Sequence, residues 1–240
     1  MAGDKDLKTE ALVLRRTNYG ETDRILLILT PAGKKSVLAK AARKERSKLA
    51  GGIELFCLSE VVLHQGRGKL AVLTTAKMKE FYKNILADFE SLEMASEMIK
   101  KIARAAEGAD EPEHFKILKS CLVALNSSAA SGGSEPIDSH RLAQKKTILT
   151  WFYFNLARTS GEQVNLYYDA DGKKLEENQR YNWDSMDKAL HPAVKGKIGA
   201  DEIKMMRLML TADLGLVLRV ENTEEMIPEL LFIVKSLNQV

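Results

Sequence analysis

The feature that most constrains this 240-residue chain is a change of hydrophobic period near residue 80. Before it, short apolar runs alternate with turn signals. After it, apolar residues recur every three or four positions. The first pattern belongs to strands and the second to helices, because side chains repeat every two residues along a strand and every 3.6 along a helix. The early runs are 9–16 (TEALVLRR), 24–30 (RILLILT), 36–41 (SVLAKA), 54–64 (ELFCLSEVVLH) and 69–79 (KLAVLTTAKMK). They are punctuated by TNYGETD at 17–23, Pro31-Ala32-Gly33, Gly51-Gly52 and Gln65-Gly66-Arg67-Gly68. Glycine and proline in these gaps supply the backbone angles that tight turns demand.

Five short strands in about 80 residues favour a small barrel, and the five-stranded oligonucleotide-binding barrel, or OB-fold, is the candidate. Helical spacing then places helices at 88–107, 112–126, 139–159, 201–212 and 223–238. Residues 127–138 (SSAASGGSEPID) have the composition of a flexible linker. Residues 163–183 are polar and irregular. The expected architecture is α+β, an OB-fold over 1–80 followed by an all-helical domain over 81–240. The stretch ILTWFYFNLA within the 139–159 helix is apolar on nearly every side. It falls short of the roughly 20 residues that a bilayer span requires, so it is expected to be a central buried helix.

The charge is distributed unevenly. Residues 1–80 hold 16 Lys and Arg against 9 Asp and Glu, whereas the remainder holds 20 against 24. The stretch 34–48 (KKSVLAKAARKERSK) sets Lys34, Lys35, Lys40, Arg43, Lys44, Arg46 and Lys48 against the single acid Glu45. Such a run is either a solvated loop or a surface for phosphates. Arg15 and Arg67 are weaker candidate contacts, and Arg15 has the alternative of an ion pair with Glu21 or Asp23. Glu21 and Asp23 are read as salt-bridge partners of Arg24 or Arg16. Tyr19, Phe56, Phe81 and Tyr82 make a sparse set of stacking aromatics, so nucleic-acid binding here would lean on phosphates and depend on salt.

The residues offer no catalytic centre and no cofactor site. Two cysteines, Cys57 and Cys121, and four scattered histidines cannot build a four-ligand zinc site. P-loop, dinucleotide and nucleophile-elbow motifs are missing. Cys57 is expected in the core. The polar residues 1–10 cannot be a secretory signal. The expected compartment is the cytoplasm, with no membrane partner.

The first 80 residues resemble the RecO family of DNA repair proteins. The residues that carry the resemblance are Leu12-Val13-Leu14-Arg15, Tyr19-Gly20-Glu21-Thr22-Asp23-Arg24-Ile25, Leu29-Thr30-Pro31-Ala32-Gly33-Lys34, Ala39-Lys40-Ala41-Ala42-Arg43, Ser47-Lys48-Leu49-Ala50-Gly51 and Gly66-Arg67-Gly68-Lys69-Leu70. Ala41 departs from the glycine usual in the family. Residues 141–161 look like the long family helix that precedes its carboxy-terminal region. Many family members then carry a four-cysteine zinc site, whereas residues 162–200 here contain no cysteine. The resemblance implies a nucleoid-associated protein that binds single- and double-stranded DNA and anneals complementary strands. It also implies work with RecR and the single-stranded DNA-binding protein to load RecA. The acidic tail of that binding protein would need an apolar cleft and a cation, for which Arg141, Lys145 and Lys146 are the candidates. Two other readings stand beside this one: an RNA-binding OB-fold protein, and a protein-interaction adaptor acting through its helices.

Overall fold

The computed structural model describes residues 6–65, 68, 70–105, 112–129 and 139–237. These fall into two compact units, Met1–Gly132 and Gly133–Val240. The division lies within the segment read as a linker, most of which is outside the described residues.

The first unit is built on a closed barrel of strands β1 (Asp6–Tyr19), β2 (Asp23–Thr30), β3 (Gly33–Ala39), β4 (Cys57–His64) and β5 (Ala71–Phe81), in the order β1-β2-β3-β5-β4. Closure depends on the length of β1. Its residues 6–12 pair with β4 and its residues 12–19 pair with β2, both antiparallel. A register shift between Val13 and Arg15 lies just past the changeover, and such irregularities bend a strand enough to serve two neighbours. The ring is completed by a short parallel contact, Val37 with Ala71 and Leu38 with Val72.

Alternation fills the inside. Ala11 and Val13, Leu26 and Ile28, Val37 and Ala39, Val61 and Leu63, and Leu73 and Ala76 form one buried cluster. The intervening Leu12, Leu14 and Leu29 are also buried. They are covered because α2 (Phe89–Arg104) packs on β1, and α3 (Pro112–Ser128) packs on β2 and β3. The compact unit therefore runs well past the end of the barrel at residue 81. A short helix, α1 (Lys83–Ala87), is tied to α3 by reciprocal bonds. The Asn84 backbone N–H donates to Asn126 Oδ1 at 3.0 Å, and Asn84 Nδ2 donates to Asn126 O at 3.0 Å.

Glu10 links three elements. Its carboxylate accepts from Lys79 on β5 at 2.6 Å and from Lys119 on α3 at 3.0 Å. The hydrogen bond from Lys79, then that from Lys119, holds its pKa below the ordinary 4.5. Its contribution to stability is therefore present above pH 4.5 and lost as the pH falls through the lower folded value. Glu10→Gln is expected to lower stability at neutral pH and flatten the decline below about pH 4.5, read from urea midpoints at about pH 7 and pH 3.

A 3-10 turn at Ala50–Gly52 packs against β5 and tolerates no side chain at its last residue. A Cβ on Gly52 would lie 2.4 Å from the carbonyl oxygen of Ala76. Strand backbone cannot yield cheaply, so Gly52→Ala should cost about 1–3 kcal/mol as an overpacked site. An unchanged thermal midpoint in this variant would contradict that contact.

The second unit centres on α4 (Ser139–Thr159), whose Ile148, Phe152, Tyr153 and Phe154 are almost wholly buried. It packs against α5 (Ala200–Thr211) and α7 (Ile227–Leu237), with the single-turn α6 (Leu214–Val217) between them in sequence. Two side-chain donors of this helix bond to carbonyl oxygens. Trp151 Nε1 donates to Ala212 O at 3.1 Å, and Asn155 Nδ2 donates to Trp151 O and Met209 O. Among the described residues no helix is long and apolar enough to cross a membrane.

The stretch between α4 and α5 is more ordered than its polar sequence implies. Strands β6 (Tyr181–Asp184) and β7 (Ala189–Pro192) form an antiparallel hairpin. Tyr181 also exchanges backbone bonds with Ile198 at 2.8 and 3.0 Å. Arg180 donates to the carbonyls of Gly196 and Lys197. Tyr181, Leu190 and Ile198 are buried beneath.

Candidate nucleic-acid interface

The basic stretch becomes a surface because of where it is anchored. After β3 the chain runs through consecutive tight turns, Lys44 N–H to Ala41 O, Ser47 N–H to Lys44 O and Ala50 N–H to Ser47 O. The tip of the β1–β2 hairpin holds this loop. Asp23 Oδ1 accepts from the backbone N–H of Ala41 at 2.7 Å, and Thr22 O accepts from that of Arg43 at 2.8 Å. The Arg43 guanidinium adds a bond of 3.3 Å to Gly20 O. Tyr19, 55% exposed, stands at the same hairpin end.

Lys40, Arg43, Lys44, Arg46 and Lys48 lie at the surface, and Lys35 is partly exposed. Among the described residues the side chains of Lys35, Lys40, Lys44, Arg46 and Lys48 have no ion-pair or hydrogen-bond partner. The loop is thus a run of unneutralised cations held on a rigid barrel, the arrangement that attracts a polyanion. Exposed Arg15, on β1, likewise has no partner among the described residues, so the alternative ion pair with Glu21 or Asp23 is not formed. Arg67 lies outside the described residues.

Lys34 differs from the other cations. Its ammonium donates to the carbonyls of Ile102 and Ala105 at the end of α2. Carbonyls at a helix's carboxy-terminal end lie at the negative end of its dipole, which favours a cation there. Lys34 therefore joins α2 to β3. The expected salt bridges of Asp23 and Arg16 are also replaced. Arg16 pairs with Glu54 at 2.6 Å, and Asp23 serves the backbone of the basic loop. The only trace of that role in the sequence is the habit of aspartate of bonding nearby backbone at turns.

In the second unit, Arg141 is exposed and Lys146 partly so, but Lys145 is only 4% exposed. The i,i+4 spacing puts Arg141 and Lys145 on one side of α4, yet that side is turned inward at residue 145. Trp151, Phe152 and Phe154 are core. Lys145 cannot meet a docked tail, and this segment does not assemble the expected three-cation cluster.

Both cysteines are buried, and burial raises their thiol pKa, which disfavours the reactive thiolate. Both lie in the first unit, far in sequence from residues 162–200. A four-cysteine zinc site does not fit this chain. The buried residues around the β6–β7 hairpin order that region through ordinary packing.

Residues 1–82 match the family model described as Recombination protein O N terminal. The chain is similar to the DNA repair protein RecO of Roseiflexus sp. (strain RS-1), 37% identical over 130 residues that make up 53% of this chain and 45% of that protein. It is also similar to the DNA repair protein RecO of Dehalococcoides mccartyi (strain CBDB1), 29% identical over 238 residues, 96% of this chain and 88% of that one. The likeness to the DNA repair protein RecO of Acetivibrio thermocellus is 40% over 94 residues, 39% of this chain and 37% of that protein. The chain thus spans about half the length of the first relative and most of the second. Strand order and barrel closure define an OB-fold protein with a helical carboxy-terminal part. Over its first 82 residues the chain matches the amino-terminal part of the RecO family, and along most of its length it is similar to DNA repair proteins named RecO.

One backbone conformation has a measurable cost. Ala41 adopts φ 52°, the left-handed region that favours glycine. That conformation costs a residue with a Cβ about 1–2 kcal/mol, and glycine returns about half as unfolded-state entropy. Ala41→Gly should therefore stabilise the protein by roughly 0.5–1 kcal/mol. Calorimetry showing a lower melting temperature would refute this account of the loop.

Proposed function

We propose that this protein is a non-enzymatic recombination mediator that binds single- and double-stranded DNA and anneals complementary strands. With RecR and the single-stranded DNA-binding protein as partners, it assists the loading of RecA on the nucleoid in the cytoplasm. The observation that carries the reading is the loop Lys40–Lys48, whose unpaired cations are pinned to the β1–β2 hairpin of an OB-fold. Annealing needs no covalent step. Two strands repel through their phosphates, and a surface that neutralises some of that charge lets complementary bases meet and pair. The tail of the single-stranded DNA-binding protein is assigned to the helical unit, with Arg141 and Lys146 the accessible members of the expected cation set.

Lys44→Ala combined with Arg46→Ala tests the interface without touching a side chain that holds the loop. The variant should keep the wild-type melting temperature, weaken DNA binding and slow annealing. The slope of log K against log salt should flatten by about 0.7–0.9 for each phosphate that the variant no longer neutralises. Unchanged affinity and slope would reduce the loop to a solvated surface. Equal or stronger binding of matched RNA strands would favour the RNA-binding alternative.

A further inference from the structure

A second cationic site lies in the carboxy-terminal unit, where the sequence gives no basic run. A cavity of about 460 Å³ opens between the end of α4, the loop 163–167 and α5. Arg158 and Arg207 both line it, with Val164, Leu166 and Leu210 as its apolar wall, and no carboxylate does so among the described residues. Glu162, the nearest acid in sequence to the loop, is paired with Lys188.

Arg207 organises the rim. Its guanidinium donates through Nε and Nη2 to Leu166 O at 3.2 and 2.5 Å, which fixes the loop. The same group lies 4.9 Å from the centroid of the Tyr167 ring. Cation and ring attract, so the ring is held against the guanidinium while Tyr167 remains 61% exposed. Asn165 Oδ1 accepts from the backbone N–H groups of Tyr167 and Tyr168, which stiffens the turn that presents the ring. Exposed aromatics are normally hydrated at a cost, and one clamped against the Arg207 guanidinium offers a flat face next to positive charge.

We infer that this cavity binds one nucleotide of a single strand, its base stacked on Tyr167 and its phosphate neutralised by Arg158 and Arg207. Stacking suits every base because each has a π-face, and it requires the base to be unpaired. The site therefore discriminates single strand from duplex, which the phosphate-reading loop on the barrel does not. An acidic peptide would satisfy the guanidiniums but would leave the clamped ring without a stacking partner, so the nucleotide is the better fit.

This inference rests on the reading that the protein handles single strands, and the test separates the two. Affinities of a labelled single strand of about 12 nucleotides and a duplex of the same length are measured for the full chain, for Tyr167→Ala and for Tyr167→Phe. Each is repeated in the Lys44→Ala/Arg46→Ala background. Tyr167→Ala should lower single-strand affinity by about tenfold, leave duplex affinity unchanged, and have the larger relative effect in the loop-neutralised background. Tyr167→Phe should retain wild-type binding, because stacking needs the ring and not the hydroxyl. If the wild type binds neither probe, the proposed function fails and this site with it. If it binds and Tyr167→Ala binds equally well, the site alone is refuted. Binding of an acidic peptide that Tyr167→Ala abolishes, with single-strand affinity intact, would assign the cavity to a protein partner and overturn the inference.

Discussion

The rest of the structure depends on the double pairing of β1. One strand must satisfy backbone groups on β4 along its first half and on β2 along its second, and only then does the sheet close. Closure removes sheet edges, which are otherwise templates for aggregation. It also sets where the key side chains stand. The hairpin tip beyond Tyr19 is where β1 ends and β2 begins, so the carboxylate of Asp23 is delivered to the loop by the barrel itself. Glu10 sits on the half paired with β4, within reach of both β5 and α3.

The basic residues of this protein fall into two kinds that composition does not separate. Lys34, Lys79, Lys119 and Arg16 are used internally, each holding a helix end, a strand or a loop. Among the described residues Lys40, Lys44, Arg46 and Lys48 make no such contact. The stretch 34–48 thus combines a structural cation with a patch of accessible ones. The loop backbone is well supported even though its side chains are not, which keeps the charges in place without neutralising them.

Much of the fold was legible in the sequence because period and turn residues agree. The run 24–30 became Asp23–Thr30, and the helix at 139–159 has the expected bounds. The short elements were not legible. Helix α1 has five residues, too few for a period to show, and the β6–β7 hairpin uses strands of four with proline and histidine in one of them. The site was half legible. The cations of the loop could be read from their density, but spacing alone shows which residues share a helix face and not which face is covered, so Lys145 was misplaced. Tyr167 and Arg207 are far apart in sequence, and only the fold brings them together.

The order of pairing also bears on synthesis of the chain. β2 and β3 follow β1 directly and can pair in turn as soon as they emerge, because neighbouring hairpins close small loops. The amino-terminal half of β1 must wait for Cys57–His64, and Glu10 waits for Lys119, 109 residues downstream. During translation, then, residues 6–12 are an open edge with apolar positions at Leu7, Ala11 and Leu12. Lys8 and Glu10 lie in that edge, and charges at such positions discourage pairing with a second nascent chain. The residues that later lock the barrel shut protect it beforehand from joining the wrong neighbour.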